Sequence, residues 1–593
     1  PLFQVKPEKL LELEANPIIS SQGSFLVNAD YLKQDDVNSL STRPNERYKR
    51  IDVTGKLDAR LNKAIDLSFS GSYVDEQDQS TPGGWRLLNS ENNPLNNTNT
   101  YRGVFRFRHR LGGAANPGQN NTNNNSLIQN ASYTLQFGYE KTKGDVADAR
   151  HGQNYFAYGH VGKFDIEWVP TFNFVFDRVT QQNVLQHTDY RQVLRKYTPG
   201  TSNPVLANYN NVMGLTPNEG VNSQIGRIFI PSVQEGGSVL ALGNFVAPNG
   251  LISDVYTGSW GFHTNVGSVY NQASFSNGDL YTFHGRTNFD LVPGNSDQGR
   301  HNIQIGFIYE QRTDRGYVVA PQTLWNIARQ QANNHILGIV EGAENIGSIT
   351  DTVNGQPLTL NLRQLSIAQN EDNKFYRSIR AKNNIPLTEY VNVDGMDPSE
   401  LSLSMFSAKE LNDQGIISYY GYDYLGKQFD GTFNDFFTAT DADGVRTFPV
   451  APNRPIYSAF YIQDKFTFRD IILRLGLRVD RYDANTKVLK DPYSLYEIMG
   501  ASEYHDQFGG TRPGNIGDEY KVYLNDAGTN IEAYRDGDQW YRPNGSPVNS
   551  PIEIFSGGLV FPKYKDENAS KISNYIKSRD FNPEASFEDY KAQ

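Results

Sequence analysis

Apolar and polar residues alternate with a period of two along Ile471–Asn485, IILRLGLRVDRYDAN. Ile471, Leu473, Leu475, Leu477 and Val479 share one side; Ile472, Arg474, Gly476, Arg478 and Asp480 share the other. The preceding stretch, Asn453–Asp470 (NRPIYSAFYIQDKFTFRD), is also extended, and almost no connection separates the two. An apolar face opposite a charged one over about ten residues outruns an ordinary strand of about 5–6 residues. It suits a strand with lipid on one side and water on the other, which needs about 9–11 residues to cross a bilayer. The pattern predicts an all-β protein, a transmembrane antiparallel β-barrel.

The same period recurs upstream. A strand over about Arg47–Leu61 places Ile51, Val53, Gly55, Leu57 and Ala59 on one face, and a turn at Asn62–Ala64 leads to Ile65, Leu67, Phe69, Gly71 and Tyr73. Gly103, Phe105 and Phe107 oppose Arg102, Arg106, Arg108 and Arg110; Tyr133, Leu135, Phe137 and Tyr139 oppose Thr134, Gln136, Gly138 and Glu140. A further pair, Phe156–Trp168 and Phe172–Phe176, is expected to turn at Val169–Pro170. Tyr281 to Leu291 and Ile303 to Tyr309 follow, and the pair at 455–485 brings the expected total to about ten strands, mainly within 46–181, 277–313 and 455–485. Phe105, Phe107, Leu135, Phe137, Ile305, Phe307, Leu475 and Leu477 are expected to face acyl chains.

Connections alternate in length. Turns are short or moderate at about 62–64, 112–126, 169–170, 293–300 and 469–470, the low-complexity tract Ala115–Asn125 among them. They are long at about 77–100, 142–151, 181–277, 314–454 and 485–593. Short turns at one end and long loops at the other are the asymmetry of outer-membrane barrels. The long loops carry apolar and aromatic residues, which predicts a folded cap rather than a disordered fringe. One helix is expected after Pro7, ending before Pro17, and another in Leu324–Ile336 with Leu324, Ile327, Ala328 and Gln331 on one side.

Composition agrees with this picture. The 593 residues include 35 Tyr and 33 Phe but 4 Met and no Cys, and aromatic girdles at bilayer interfaces need such residues. Mean hydropathy is −0.59, and period-two alternation conceals a barrel from that average. Lack of cysteine leaves nothing for disulfides or thiolate metal sites. A net charge of −11 argues against a nucleic-acid partner, which calls for basic patches. The opening PLFQVKPEKL has none of the features of a signal peptide. With the polar ending FNPEASFEDYKAQ, which lacks an aromatic-ended final strand, both ends read as cuts and the chain as an internal fragment of a longer protein.

No motif supports catalysis: HExxH, a nucleophile elbow and a P-loop are all absent. The expectation is a non-enzyme without cofactor or metal. His109, His160 and His284 fall in expected strands, where packing is the plainer role than metal ligation. Asp441-Ala442-Asp443-Gly444 and Asp536-Gly537-Asp538 resemble pieces of calcium loops, yet neither continues to the acidic residue a full loop needs, and Asp–Gly pairs are first of all turn formers. The ladder Arg102, Arg106, Arg108 and Arg110 on the predicted lumen side either meets an anion or pairs with acids of neighbouring strands, the latter being favoured. Aromatic residues in the loops, Tyr422, Tyr424, Trp540 and Tyr541 above all, could stack on a ligand or supply the core of a folded loop.

Several stretches carry a family resemblance: YIQDKFTFRD with IILRLGLRVDRYDAN, ANPIISSQGSFLVNADYL near the start, SYYGYDYLGKQFDGTFNDFF, and DPYSLYEIMGASEYH. The chain resembles the barrel of a TonB-dependent outer-membrane receptor of the Bacteroidetes type. The resemblance implies a Gram-negative outer membrane, outer-membrane lipids as surroundings, and a barrel of roughly 22 strands closed by a plug. It implies import of an extracellular nutrient with energy delivered through the TonB complex, and it leaves room for a surface lipoprotein partner. The plug, the TonB box and the last barrel strands are not recognisable in these residues, so family residues there carry over to no position. A passive porin or surface-binding barrel without energy coupling is the alternative.

Overall fold

A computed structural model of the protein describes residues 2–16, 28–79, 82, 84–85, 87–111, 127–212, 249, 263–293, 299–340, 345–353, 356–368, 374–488, 490–491, 493–494, 496–525, 527–555 and 560–565. The tract Ala115–Asn125 and most of the early family-like stretch lie outside these residues. The described residues are mostly strand, every sheet is antiparallel, and no described helix is long and apolar enough to cross a membrane. The chain divides into two compact units, residues 1–486 and 487–593.

The first unit opens with Leu2–Val5 (β1) paired to Val37–Leu40 (β2), and the helix Pro7–Ala15 between them buries Leu10 and Leu13 as its spacing predicts. The main sheet then begins with Tyr48–Arg60 (β3), Ile65–Gln79 (β4), Leu95–Arg110 (β5) and Ile128–Ala147 (β6). Gly162–Asp177 (β7) and Gln182–Pro199 (β8) form a hairpin outside it, and Ala273–Leu291 (β9) and Arg300–Val319 (β10) resume it. Short strands follow: Ile336–Ile339 (β11), Asn345–Val353 (β12), Gln356–Arg363 (β13), Leu365–Ile367 (β14) and Ile417–Tyr420 (β15). Ile456–Phe468 (β16) and Ile471–Asp483 (β17) complete the unit.

In space the main sheet reads β17-β16-β10-β9-β6-β5-β4-β3, with β15 added beside β10. Apart from the short β15, its strands run from 13 residues in β3, β16 and β17 to 20 in β6 and β10, longer than the ~10 that a bilayer requires. The sheet is open, with β3 and β17 as its edges. Each ladder is near-continuous: β16 and β17 pair residue for residue from Ile456–Asp483 to Phe468–Ile471. The two-residue connection Arg469–Asp470 works because Arg469 takes φ 49°, the left-handed conformation that tight hairpins need. Two glycines are required by rings on the next strand. A Cβ on Gly285 would lie 2.4 Å from the Phe307 ring, and one on Gly306 would lie 2.5 Å from the Tyr461 ring.

Two expectations are corrected. Phe156 lies in a 3-10 turn rather than a strand, and β7 passes through Val169 and Pro170 without turning, to a turn at 178–181. Proline lacks an N–H, but the two-stranded β7–β8 sheet leaves each strand a free edge where none is needed. The strands expected near 156–176 therefore leave the main sheet, whose meander has eight strands rather than about ten.

Described parts of the long connections in this unit pack into a core. Phe156, Tyr158, Trp325, Phe375, Phe406 and Leu411 share one buried core with Val5 and Leu13 and with Tyr317 and Val319 at the end of β10. Phe375 stacks on Phe406 at 4.2 Å, and Phe156 meets Trp325 edge-on at 5.7 Å. The helix Leu324–Gln331 buries Leu324, Ile327 and Ala328.

The second unit has cores of its own around Met499, Tyr504, Val522 and Tyr534 and around Tyr523, Trp540, Val548 and Ile554. Lys521–Leu524 (β18), Ile531–Asp536 (β19), Gln539–Tyr541 (β20) and Phe561–Pro562 (β21) form its sheet, in the order β20-β19-β18-β21.

Candidate functional site

The register of the main sheet builds two unlike faces. On one, Leu57, Phe69, Phe105, Phe137 and Phe283 stand in a single cross-strand row. The next row is Ala59, Leu67, Phe107, Leu135, Gly285, Phe307, Phe460 and Val479. These rows are largely uncovered: Leu57 is 68% exposed and Val479 58%. A contiguous apolar face spread over eight strands far exceeds the few hundred Å² that soluble monomers leave bare. Tyrosines border it toward the long connections, where Tyr73 packs against Tyr101 and Tyr139 against Tyr281, both at 5.0 Å. Toward the short turns the border is His109 against Tyr133, with Nδ1 3.2 Å from the phenol oxygen.

Charges on this face gather at its margins, including Arg481 on the edge strand β17, at the end of the first row. Below, His301 Nδ1 lies 2.6 Å from Asp464, a residue directly across the ladder from Leu475. Above the tyrosines, buried Arg315 donates to Asp279 at 2.7 Å and also pairs with Asp430. Asp279 further accepts from the Tyr139 hydroxyl at 2.8 Å and Lys141 at 3.3 Å. Alternation alone gives no sign of this junction, because it is the register that lifts these residues above the tyrosine belt.

The opposite face is more polar, with at least one charge on every strand of the meander. Arg102 donates through Nε to Glu140 at 2.6 Å, and Arg110 pairs with Asp66, which also takes Arg60 at 3.2 Å. Arg106 forks onto Gln136 Oε1 at 2.9 and 2.8 Å. Most of the arginine ladder thus has neighbours on adjacent strands, but Arg108 has no ion-pair or hydrogen-bond partner among the described residues.

The aromatic loop candidates are distributed over the two units. Tyr422 and Tyr424 are buried in the core of the first, where Tyr422 packs against Phe275 at 5.2 Å. Trp540 is buried in the second against Tyr523 at 4.6 Å; Tyr541 is half-buried beside Tyr520 at 5.2 Å. The geometry makes them core and near-core residues.

At Asp441 the carboxylate accepts from the backbone of Asp443 and Val445 at 3.0 and 2.9 Å and from Lys374 at 2.7 Å. The lysine ammonium stands where a cation would. Asp538 accepts from the Tyr493 hydroxyl at 2.9 Å, and the Gly537 carbonyl from Arg535 at 2.7 Å. No group of three or more His, Cys, Asp or Glu among the described residues could hold a metal. His160 is buried against Trp325 at 5.6 Å, and burial pushes its pKa down to about 4. His284 lies 3.9 Å from Glu310 on the charged face.

Arg329, which the helical pattern leaves unremarked, is buried and forks onto buried Asp394 at 2.6 and 2.7 Å. It ties the helix Leu324–Gln331 to the turn Val393–Gly395. In the second unit an acidic hollow of about 520 Å³ is lined by Glu503, Asp506, Asp518 and Glu519. Lys565 reaches Glu503 at 3.2 Å, and Arg512 pairs with Asp518. Comparison with protein-family models and with curated proteins finds no match for this chain.

Proposed function

We propose that this chain is the membrane-embedded part of an outer-membrane active transporter, one that captures a nutrient outside the cell and imports it with TonB-derived energy. One observation carries the reading: a broad, uncovered apolar face, bordered by tyrosines, lies back to back with a charged face on an antiparallel meander. Lipid is the solvent that suits the first face, and a water-filled lumen suits the second. In hydrocarbon each unpaired backbone group costs several kcal/mol, so β3 and β17 must be paired in the working protein. Further strands or each other would close the sheet into a barrel. Even-numbered antiparallel order leaves the two edges running in opposite senses, as closure of either kind allows.

Connection lengths support the same reading. Residues 61–64, 111–127, 292–299 and 469–470 turn at one end; 80–94, 148–272 and 320–455 leave from the other. The longer ones build a packed cap, a place where ligands would be met first. Energy coupling rests on the family resemblance, and a passive barrel differs from the proposal only there.

The test uses the natural full-length protein in its own cells. Single cysteines at Lys427 and Lys63 are treated with a membrane-impermeant thiol reagent: Lys427→Cys should react on intact cells, and Lys63→Cys only after the outer membrane is opened. Short-term uptake of a labelled nutrient that requires this protein should stop when the proton gradient is collapsed. Labelling with the opposite sidedness would overturn the orientation, and gradient-independent uptake would favour the passive barrel.

A further inference from the structure

We propose that the charged face holds a small solute bearing two or more carboxylates, cradled between Arg108 and Arg286 across Thr134. This inference rests on the transport reading and names the class of its substrate. The register sets Arg108, Thr134 and Arg286 in one row of β5, β6 and β9, and Arg106, Gln136 and His284 in the next, all on the charged face. Strands lie roughly 4.8 Å apart, so the backbones of Arg108 and Arg286 stand on the order of 10 Å apart. Between them lies a strip of short or polar side chains, Thr134, Gln136 and Gly138. Arginine stems are long enough to lean in over that strip from both sides.

Both guanidiniums are exposed, and neither has an ion-pair or hydrogen-bond partner among the described residues. The nearest acids on β4 and β6 already hold other arginines. Asp66, directly across from Arg108, takes Arg60 and Arg110; Glu140 takes Arg102; Glu310 stands 3.9 Å from His284. Across β10 the neighbour of Arg286 is Gly306, with no side chain to offer. Like charges gathered on one face repel, while a planar guanidinium fork matches a carboxylate with two parallel hydrogen bonds. Two such forks about two strands apart suit a di- or tricarboxylate, and the Thr134 hydroxyl supplies a third contact between them.

Other anions fit less well. A lipid headgroup belongs at the margins of the apolar face, whereas this cradle lies on the reverse side of the sheet, toward the short-turn end. A nucleic acid would meet a chain of net charge −11.

The experiment uses the natural full-length protein extracted from its membrane in detergent, with citrate as the probe and calorimetry as the readout. Wild type should bind citrate with an affinity that falls as salt rises. Arg108→Gln and Arg286→Gln should each weaken binding about tenfold, as expected for loss of one charge-assisted fork. Arg102→Gln, whose guanidinium already has Glu140, should change it less than about twofold. Unchanged melting of each variant shows that the fold is kept. No binding by wild type would overturn the proposal and mean that a carboxylate of the protein itself fills the cradle; equal losses in all three variants would also overturn it. Gradient-driven uptake indifferent to both arginines would remove the anion and leave transport standing. Citrate binding with gradient-independent uptake would do the reverse.

Discussion

Phe69 offers the cleanest test of the apolar face. It is 54% exposed and flanked across the ladder by Leu57 and Phe105, with no charge in its row through Phe283. On β4 it stands midway between Ile65, level with the His109 and Tyr133 border, and Tyr73 in the opposite belt. Eight residues at about 3.4 Å each, tilted by about 40°, put the two borders roughly 21 Å apart, close to the ~25 Å apolar band of such barrels. Phe69 is then about 10 Å from either border, near the midplane. Arginine there should cost about 2–4 kcal/mol, or roughly 30- to 700-fold in the folding equilibrium.

Ser70, one residue on, faces the charged side between Lys56 and Val104, with Asp58 one step along β3. Arginine at Ser70 should cost less than about 1 kcal/mol. Tyr73→Arg, at the border, should cost about 0–1 kcal/mol, because lipid penalties fall toward the interface. Urea unfolding of the full-length protein in vesicles, read by its heat-modifiable band, gives all three values. Equal penalties at Phe69 and Ser70 would refute the two-faced assignment. A Tyr73 penalty as large as that at Phe69 would mean that protein, not lipid, covers the face.

Three further outcomes follow from particular contacts. Leu475→Arg should cost well under the about 2–4 kcal/mol of a midplane arginine, because Asp464 lies directly across the ladder; adding Asp464→Asn should restore the penalty in the same unfolding assay. Asp394→Asn should destabilise the cap by about 3–5 kcal/mol by stranding the buried Arg329 charge, whereas Arg329→Met with Asp394→Leu should recover most of it, as read by protease resistance. His160 makes the cap acid-sensitive: its unfolded imidazole titrates near 6.5 but the buried one only near 4. The unfolded chain therefore takes up the proton first, so stability is full above pH 6.5 and drains as pH falls toward 4; His160→Gln should flatten that slope in proteolysis measured against pH.

Much of the main sheet was legible because its two faces differ so sharply in chemistry. Where one face is apolar and the other charged, side chains declare their direction residue by residue, as in β5, where Phe105 and Phe107 alternate with Arg106 and Arg108. The failure came at β7 and β8. Val169–Pro170 carries the composition of a turn, yet a strand with a free edge tolerates proline, and nothing local says which strands will pair. The aromatic loop residues were equally ambiguous: Tyr422 and Trp540 look alike as ligand platforms and as core, and only burial separates the two roles.

The sequence by itself determined the strand period, the two chemically opposed faces, the alternation of short and long connections and the short helices at Pro7 and Leu324. Each depends on the order of residues within one segment, where local geometry links spacing to direction. The tertiary structure alone decided that eight strands form the meander, that β7 and β8 stand apart from it, and that Lys487–Gln593 is a unit with its own cores. It also decided which charges meet: Arg102 with Glu140, Arg329 with Asp394, and Arg108 with none among the described residues. Those outcomes depend on register between segments far apart in the chain. A shift of a single residue would exchange the faces and give every one of those charges a different neighbour.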